Sequence, residues 1–483
     1  MKQRKEQANT HFHDVVIVSL RLVACQEAWP FSGPSHAEEL SNWAEDPIKR
    51  MLDDDGSAFS DVPVKIMHTS KWCGVATSTL AWRMSVQKIE TLAGIKLHSD
   101  LYAHCEYDAT CRKCLRKNKP RHMHVDILEP FDAELVDDVY TKQNDFRQQL
   151  HEGEGSKQEL SDQFLDVAME LVDAHELPFA NEAFCEMHSK ECKIMPRGCR
   201  RKRGELWMEQ ISPTCTSWSQ QNKSPLGWLD EKQVPLIMYM IRCASDAHRP
   251  DLMLLECVVN LDLAGCEKLS KNKIKFEQRN LQGCEVGIPS GGLRMWAAAV
   301  ANGWVFKFAP FSSERMEKIG YRRLELEPTD LLGASKEEVT RWHIAVNEQR
   351  GDKGLVPHPR GQMYRPYDLL TPSAQERLRG HQEQTAVARR ASAGRAGQNS
   401  IDYQVWDISQ SIDYHQAPGP FSPRPLTSSV MWSEALERMV TPLEMFHVQG
   451  PCQKKRCMYM RMCTYIHMHL CNIDVDKAEE EQE

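Results

Sequence analysis

The chain has no apolar run that would span a bilayer. The stretch VVIVSLRLVAC near its amino end is short and broken by an arginine, whereas a spanning helix needs about 20 consecutive apolar residues. No membrane segment is expected. Cationic excess is missing as well: the formal charge is -8 and the pI is near 6.2, which excludes a protein that coats nucleic acid by charge alone. Any nucleic-acid contact must therefore be local, and two segments could supply it. One is PRGCRRKR at 196–203; the other is 349–396, with nine Lys or Arg against four Asp or Glu. Both patterns also suit ordinary solvated loops. A second Cys-x-x-Cys pair is absent too. Cys111 and Cys114 lie near Cys105, His104, His122 and His124, but zinc sites of this kind carry two such pairs or a pair plus a paired histidine motif, so no metal ligand is expected. The 17 cysteines without a secretory leader read as reduced thiols of a cytosolic or nuclear protein.

What is present suits a folded body. Hydrophobic residues make up 41% and charged residues 27% of 483 positions, and a chain of that length exceeds a single growing core. Residues 1–60 are irregular, and pattern begins with VPVKIMHTS, an apolar strand-like run followed by the glycine-bearing KWCGVATSTLAW. Strand, turn and helix open an α/β unit. DLYAHCEYD and MHVDILE then place Glu106 and Asp126 at the ends of short apolar runs, where parallel strands present ligands. Residues 130–205 read as an insertion containing a helix, with Ser156 and Glu159 as a capping box and Leu160, Phe164, Val167 and Leu171 at helical spacing. ELWMEQI, VPLIMYMIRCA and PDLMLLECVV resume the strand and helix alternation. Residues 349–430 are rich in Gly, Pro, Ser, Gln and Arg, and the Met/Cys/His-rich tail ends in acid.

Two of these strand ends carry chemistry. Cys215 in PTCTSWS follows ELWMEQI, and Glu256 lies 41 residues further on in LLECVV. A thiolate attacks an electron-poor carbon when it is partly exposed and its pKa is lowered, for instance at the start of a helix that follows a strand. A neighbouring carboxyl can donate a proton to a ring nitrogen as the thiolate adds. Taken alone, a cysteine is more often a small buried apolar residue; the order of the remaining pieces changes the balance.

That order resembles the cytosine-5 DNA methyltransferase family, whose signature is a Pro-Cys nucleophile loop followed about 40 residues later by Glu-Asn-Val at a strand end. Here the two read PTC and ECV. GIPSGGLRMW at 287–296 is similar to the family's Gly-Val-Pro-Gln-x-Arg-x-Arg element with its last arginine, Arg294, kept. RMVTPLEMFHVQG at 438–450 is similar to Arg-x-Leu-Thr-x-x-Glu leading into Gln-Gly-Phe-Pro. HTSKWCGVATS, CEYD and VDI resemble the cofactor elements, in the family's order.

The resemblance implies a Rossmann-like α/β fold of the S-adenosylmethionine-dependent methyltransferase type, with a mostly parallel sheet and a smaller target-recognition segment. It implies an enzyme that transfers the methyl of S-adenosyl-L-methionine to carbon 5 of cytosine in DNA. Cys215 would be the nucleophile, Glu256 the group at nitrogen 3, and Arg294 a holder of the base. Gly74 and Thr69 would lie near the methionine part of the cofactor, Glu106 at the ribose hydroxyls and Asp126 at the adenine amine. The expected division is an extension at 1–60, a catalytic domain at 61–310, a basic target-recognition segment at 311–430, a return to the catalytic domain at 431–450 and a disordered tail at 451–483. PRGCRRKR would serve nuclear import. The chain departs from the family pattern in having one glycine, Gly74, in the first motif, PTC for Pro-Pro-Cys, ECV without asparagine, and no closing Gly-Asn-x-Val. An inactive nucleic-acid-binding relative and an RNA cytosine-5 methyltransferase stay open, and the sequence is silent on oligomeric state.

Overall fold

The computed structural model describes residues 45–54, 65–176, 178–196, 205–219, 224–287, 292–306, 309–323, 366–392, 405–409 and 429–441, apart from isolated positions within them, and a few shorter stretches. PRGCRRKR beyond Pro196, the IPSG stretch before Gly292, most of the 349–430 segment outside its helix, almost all of the tail, and the amino-terminal extension apart from 31–32 and 45–54 lie outside the described residues; within that extension, expected to be irregular, Glu45–Asp54 forms a helix.

Contacts divide the chain into two units, one built from 44–281, 293–319 and 459–483, the other from 1–43, 282–292 and 320–458. The first is organised around a nine-stranded sheet. Its strands are β1 (Lys65–Lys71), β2 (His98–Cys105), β3 (His122–His124), β4 (Glu182–Cys185), β5 (Lys190–Lys193), β6 (Glu205–Ile211), β7 (Leu252–Cys257), β8 (Glu277–Leu281) and β9 (Arg294–Val300). They are ordered β5-β4-β3-β2-β1-β6-β7-β9-β8. The pairs β3/β2, β2/β1, β1/β6 and β6/β7 are parallel, while β9 runs antiparallel between β7 and β8 and β4/β5 form an antiparallel hairpin on the β3 edge. This is the mostly parallel α/β sheet predicted.

Burial explains why the central strands read as apolar runs rather than alternations: β7 is buried at all six positions, and β1 and β6 at all but the first. A parallel sheet covered on both faces demands that pattern. The covering helices are α1 (Glu45–Asp54), α2 (Thr77–Ala93), α3 (Ala109–Arg116), α4 (Ala133–Glu152), α5 (Lys157–Ala174), α6 (Val234–Arg242) and α7 (Leu263–Leu269). In α6 every residue but Pro235 is buried, which only a helix inside a core tolerates.

The segment 130–205 is more than the single helix predicted. Asp132 caps α4 by accepting from the amides of Glu134 and Leu135, and Gly153 ends it at φ 77, returning its amide to the carbonyls of Gln149 and Leu150. That left-handed exit suits glycine. The Ser156/Glu159 capping box of α5 forms as expected. Its buried face runs through Leu160, Phe164, Leu165, Ala168 and Val172, with Val167 and Leu171 only partly covered. The predicted stripe was rotated, because two helices rather than one cover this side: α4 residues Leu135 and Val139 share one core with α5 and α6.

In the other unit, strands Val405–Asp407, Met431–Ser433 and Arg438–Met439 form an antiparallel sheet. With helix Pro372–Ser392 they enclose Leu378, Trp406, Ile408, Trp432 and Met439. The RMVTPLE stretch, expected to rejoin the catalytic body, belongs by contacts to this unit. Arg438 forks onto Glu444 with Nη1 and Nη2 at 2.9 and 2.7 Å, and the amides of Thr441 and Ala334 donate to the same carboxylate at 2.9 and 2.8 Å. Burial alone would raise the Glu444 carboxyl, but these bonds outweigh it and hold it below its ordinary value. The Arg, Thr and Glu of that motif are thus one buried knot, with a structural reason for their spacing.

Candidate active site at the carboxyl edge of the sheet

In an open α/β sheet, ligands bind beyond the carboxyl ends of the strands, where the chain order reverses. Here the reversal lies at β1, whose neighbours are β2 on one side and β6 on the other. Six of the seven residues singled out in the sequence lie at this edge: Gly74 beyond β1, Glu106 beyond β2, Asp126 beyond β3, Cys215 beyond β6, Glu256 in the last turn of pleat of β7, and Arg294 at the start of the antiparallel β9.

Glu106 is held from two sides, its Oε2 accepting from the Gly74 amide at 2.7 Å and its Oε1 from the Asp108 amide at 3.0 Å. Each carboxylate oxygen has two lone pairs, so the carboxylate is fixed in place with acceptor capacity left for hydroxyls. Gly74 has φ +50, and a Cβ built on it would meet nothing within 4 Å among the described residues, which leaves room there for a ligand. Asp126 is half-buried, and its Oδ1 accepts from the Leu128 amide at 2.9 Å.

The turn after β1 contains a residue type that sequence patterns would not place there. Trp72 has φ 51, a left-handed backbone that costs a bulky L-residue roughly 1–3 kcal/mol. Its amide donates to the Cys105 carbonyl at 3.0 Å, and its ring meets Tyr239 edge-on, centroids 5.9 Å apart. The left-handed positions of this turn are therefore 72 and 74, and a glycine fills only the second.

Thr69 does not reach the edge. It is fully buried inside β1, accepting from Trp207 Nε1 at 2.8 Å while its Oγ1 lies 3.1 Å from Glu209 Oε1. Its hydroxyl is committed to the sheet. Glu209, which the sequence reading passed over, gathers three partners. Besides Thr69, Lys71 Nζ lies 3.5 Å from Oε1, both side chains being almost wholly buried, and Tyr239 donates to Oε2 at 2.6 Å. Lys71 and Glu209 thus cross-link the first and fourth parallel strands directly beneath the crevice. The hint in the sequence was a charged residue within each of two apolar strands.

Cys215 sits in a loop four residues past the end of β6, partly exposed and packed against the main core. No helix begins there among the described residues: 216–218 form a turn, and α6 starts at Val234, within the predicted helical run VPLIMYMIRCA. No helix dipole acts on the thiol, and the loop is instead held by side chains. Gln233, completely buried, donates through Nε2 to the Thr214 carbonyl and to Ser217 Oγ, both at 3.0 Å, and accepts from Trp218 Nε1 at 3.0 Å. One amide thus brackets Cys215 on both sides. Trp218 stacks edge-on against Trp228, centroids 5.1 Å apart, and its carbonyl accepts from Asn260 at 3.2 Å.

Glu256 is buried on the adjacent strand, where Ile211 pairs with Leu255, and Arg294 Nε lies 3.3 Å from its Oε1. The next residue, Cys257, is buried, 3.9 Å from the Pro213 carbonyl of the Cys215 loop. Burial first, then Glu256 and Cys215 nearby, push its thiol far up; it stays protonated. A partly exposed thiol and a buried, guanidinium-paired carboxyl thus sit at the ends of neighbouring strands, beside a fixed acceptor group over open space. Such an edge can hold a planar heterocycle against a nucleophile and a hydroxyl-rich cofactor beside it.

Among the described residues, Cys105, Cys111 and Cys114 do not gather into a metal-binding group with His104 or His124, and the group that does form lies elsewhere.

No protein-family profile matches the chain, and no curated protein matches it. Solved structures do. An Entamoeba histolytica methyltransferase aligns over 87% of this chain and 99% of its own at 10% identity, with a TM-score of 0.37. A protein assigned as a DNA modification methyltransferase from an E. coli prophage aligns over 86% and 99% at 11% identity, with a TM-score of 0.39. The S. pombe Dnmt2 methyltransferase aligns over 60% and 68% at 10% identity, with a TM-score of 0.31. Likeness at this level carries no argument about chemistry, which rests on the residues above.

Proposed function

We propose that the chain is an S-adenosylmethionine-dependent methyltransferase that acts on carbon 5 of cytosine in nucleic acid, with DNA the favoured substrate. The observation that carries this reading is the pairing of strand ends: Cys215 beyond β6 and Glu256 at the end of β7, with Arg294 3.3 Å from the carboxylate. The open turn at Gly74 and the anchored Glu106 fit the cofactor. Glu106 would hold the ribose hydroxyls and Asp126 the adenine amine. Bound there, the cofactor supplies an electrophilic methyl on a sulfonium.

The protein's own groups do the rest. The target base must leave its stack to reach a buried carboxyl. The Cys215 thiolate forms a bond to carbon 6 while Glu256 donates a proton to nitrogen 3, and the electron pair moves to carbon 5. Arg294 keeps Glu256 aimed at the ring. After methylation, loss of the carbon 5 proton to a base expels the Cys215 thiolate, and nitrogen 3 returns its proton to Glu256. Gln233 acts only through the loop it holds.

The test is covalent trapping. Duplex DNA containing 5-fluorocytosine blocks the final elimination, so labelled S-adenosylmethionine and protein should give a denaturation-resistant adduct that disappears in Cys215→Ser. An adduct on fluorocytosine RNA alone would move the substrate to RNA. No adduct on either, with folded protein and no calorimetric binding of S-adenosylmethionine, would leave the second reading, a binding protein without catalysis. Trp72 at a left-handed position and the committed Thr69 hydroxyl favour that reading at the cofactor side.

A further inference from the structure

Away from the carboxyl edge, the β4–β5 hairpin is too small to stand alone. Each strand has four residues, β4 meets the rest of the sheet through the single pair His124/Cys185, and β5 is mostly exposed. A short two-stranded hairpin is marginal in water without further support. At its turn, His122 from β3 meets Cys185, His188 and Cys192, with one donor atom from each lying within 4.8 Å of all the others. We propose that these four side chains form a structural zinc site that fastens the hairpin to the sheet.

Geometry favours a shared central ion over mutual hydrogen bonds. The Nδ1 atom of His188 lies 3.4 Å from both Cys185 Sγ and Cys192 Sγ, and that of His122 lies 3.8 Å from Cys185 Sγ. In a tetrahedron with zinc at about 2.3 Å from sulfur and about 2.0 Å from nitrogen, the sulfur to nitrogen edge is about 3.5 Å. All three contacts fall near that edge. Two thiols and two imidazoles are the donor set that selects zinc among common cations.

The surroundings are built for it. The Met123 amide donates to Cys185 Sγ at 3.4 Å, as suits a thiolate, and the amides of His188 and Ser189 donate to the Cys185 carbonyl at 3.2 and 2.7 Å, closing the turn tightly. Ser189 has φ 53 there. Binding releases one proton from each thiol, so two thiolates balance the dication. Both cysteines are reduced, with no disulfide between them.

The site reaches toward the edge described above. Glu186 in the same turn pairs with Arg112 at 3.1 Å and Arg116 at 2.7 Å, and Arg112 Nη1 also donates to the Glu106 carbonyl at 3.0 Å. Fastening the hairpin therefore steadies α3 and the backbone that carries Glu106.

The test needs no activity. Protein purified without chelator should carry about one zinc per chain by mass spectrometry, and cobalt exchange should give the intense visible bands of a tetrahedral thiolate site. Cys192→Ser with His188→Ala, both away from the core, should lose the metal while the sheet stays folded by circular dichroism. On metal removal from the unmutated chain, amide exchange should rise in 182–193 and 109–116. Metal-free protein that takes up no tetrahedral cobalt under reducing conditions overturns the proposal. So does zinc retained by the double variant, which would place it on other cysteines, or a Cys185–Cys192 disulfide in protein kept reduced.

Discussion

The two halves of the carboxyl edge differ in how they are built. Beyond β6 and β7 the groups proposed to act are side chains: Cys215, Glu256, Arg294 and, behind them, Gln233. Beyond β1, β2 and β3 much of the work falls to backbone: the Gly74 amide fixes Glu106, and the turn depends on left-handed residues at 72 and 74. Chemistry done by side chains restricts residue type, whereas shape made by backbone can be reached by other residues when packing compensates, as Trp72 does against Tyr239. The half proposed to hold the base is therefore fixed by residue type, and the half proposed to hold the cofactor by backbone shape.

The sharpest way to break this comparison is at the link beneath both halves. Glu209→Gln leaves the buried Lys71 ammonium without its counter-charge. Removing one member of a buried pair costs about 3–5 kcal/mol, and the denaturant midpoint should fall accordingly. Both halves should fail together, with cofactor affinity and trapping rate lost in parallel.

Gln233→Leu should separate them. It strips three hydrogen bonds from the loop around Cys215, for about 2–3 kcal/mol of stability. The base half alone should suffer: the trapping rate falls roughly tenfold to a hundredfold, while the Kd for S-adenosylmethionine measured by calorimetry holds. A matching loss of cofactor affinity would show that Gln233 supports the whole fold rather than one loop.

Legibility in the sequence follows the same division. The runs ELWMEQI and PDLMLLECVV became β6 and β7 nearly residue for residue, because strands buried on both faces must be continuously apolar. Cys215, Glu256 and Arg294, proposed as nucleophile, acid and cation, could be picked out in the sequence because such chemistry demands particular residue types. Gln233 and Glu209 were illegible because their partners are 15 to 140 residues away and only the fold brings them together. Thr69 was misjudged since nothing local says whether a hydroxyl in a strand faces ligand or Trp207. The metal-binding quartet escaped for a related reason: one ligand comes from β3 and three from a hairpin some sixty residues on, so no local spacing contains it.

Acid should loosen the cofactor half first. His68 in β1 and His104 in β2 are fully buried, and among the described residues none of their ring nitrogens has a hydrogen-bond partner. Burial holds both at a pKa of about 3; Arg83 adds to the effect on His68, and His68, Arg83 and Lys71 add to that on His104. Their folded pKa lies below the unfolded value near 6.5, so below pH 6.5 the unfolded chain takes protons that the native one refuses. Stability is full above that pH and drains as pH falls toward 3, by about 2 kcal/mol per histidine between pH 7 and 5. Chemical denaturation across that range measures the slope, and His104→Leu should flatten it by about half of the two histidines' share. An unchanged slope would mean that protons enter elsewhere.

The smallest change is the most selective. Gly74→Ala meets no described residue, since none lies within 4 Å of the added Cβ. Left-handed backbone costs an L-residue about 1 kcal/mol, so the melting temperature should slip by a few degrees. The methyl group, however, occupies the space where the cofactor must approach the Glu106 anchor. Affinity for S-adenosylmethionine should fall by roughly tenfold or more, well beyond the stability loss, while the exposure of Cys215 to a thiol reagent stays as it was. If affinity holds, the cofactor does not pass over Gly74, and the turn shapes the sheet edge without touching a ligand. If thiol reactivity changes too, the two halves are coupled through more than Glu209.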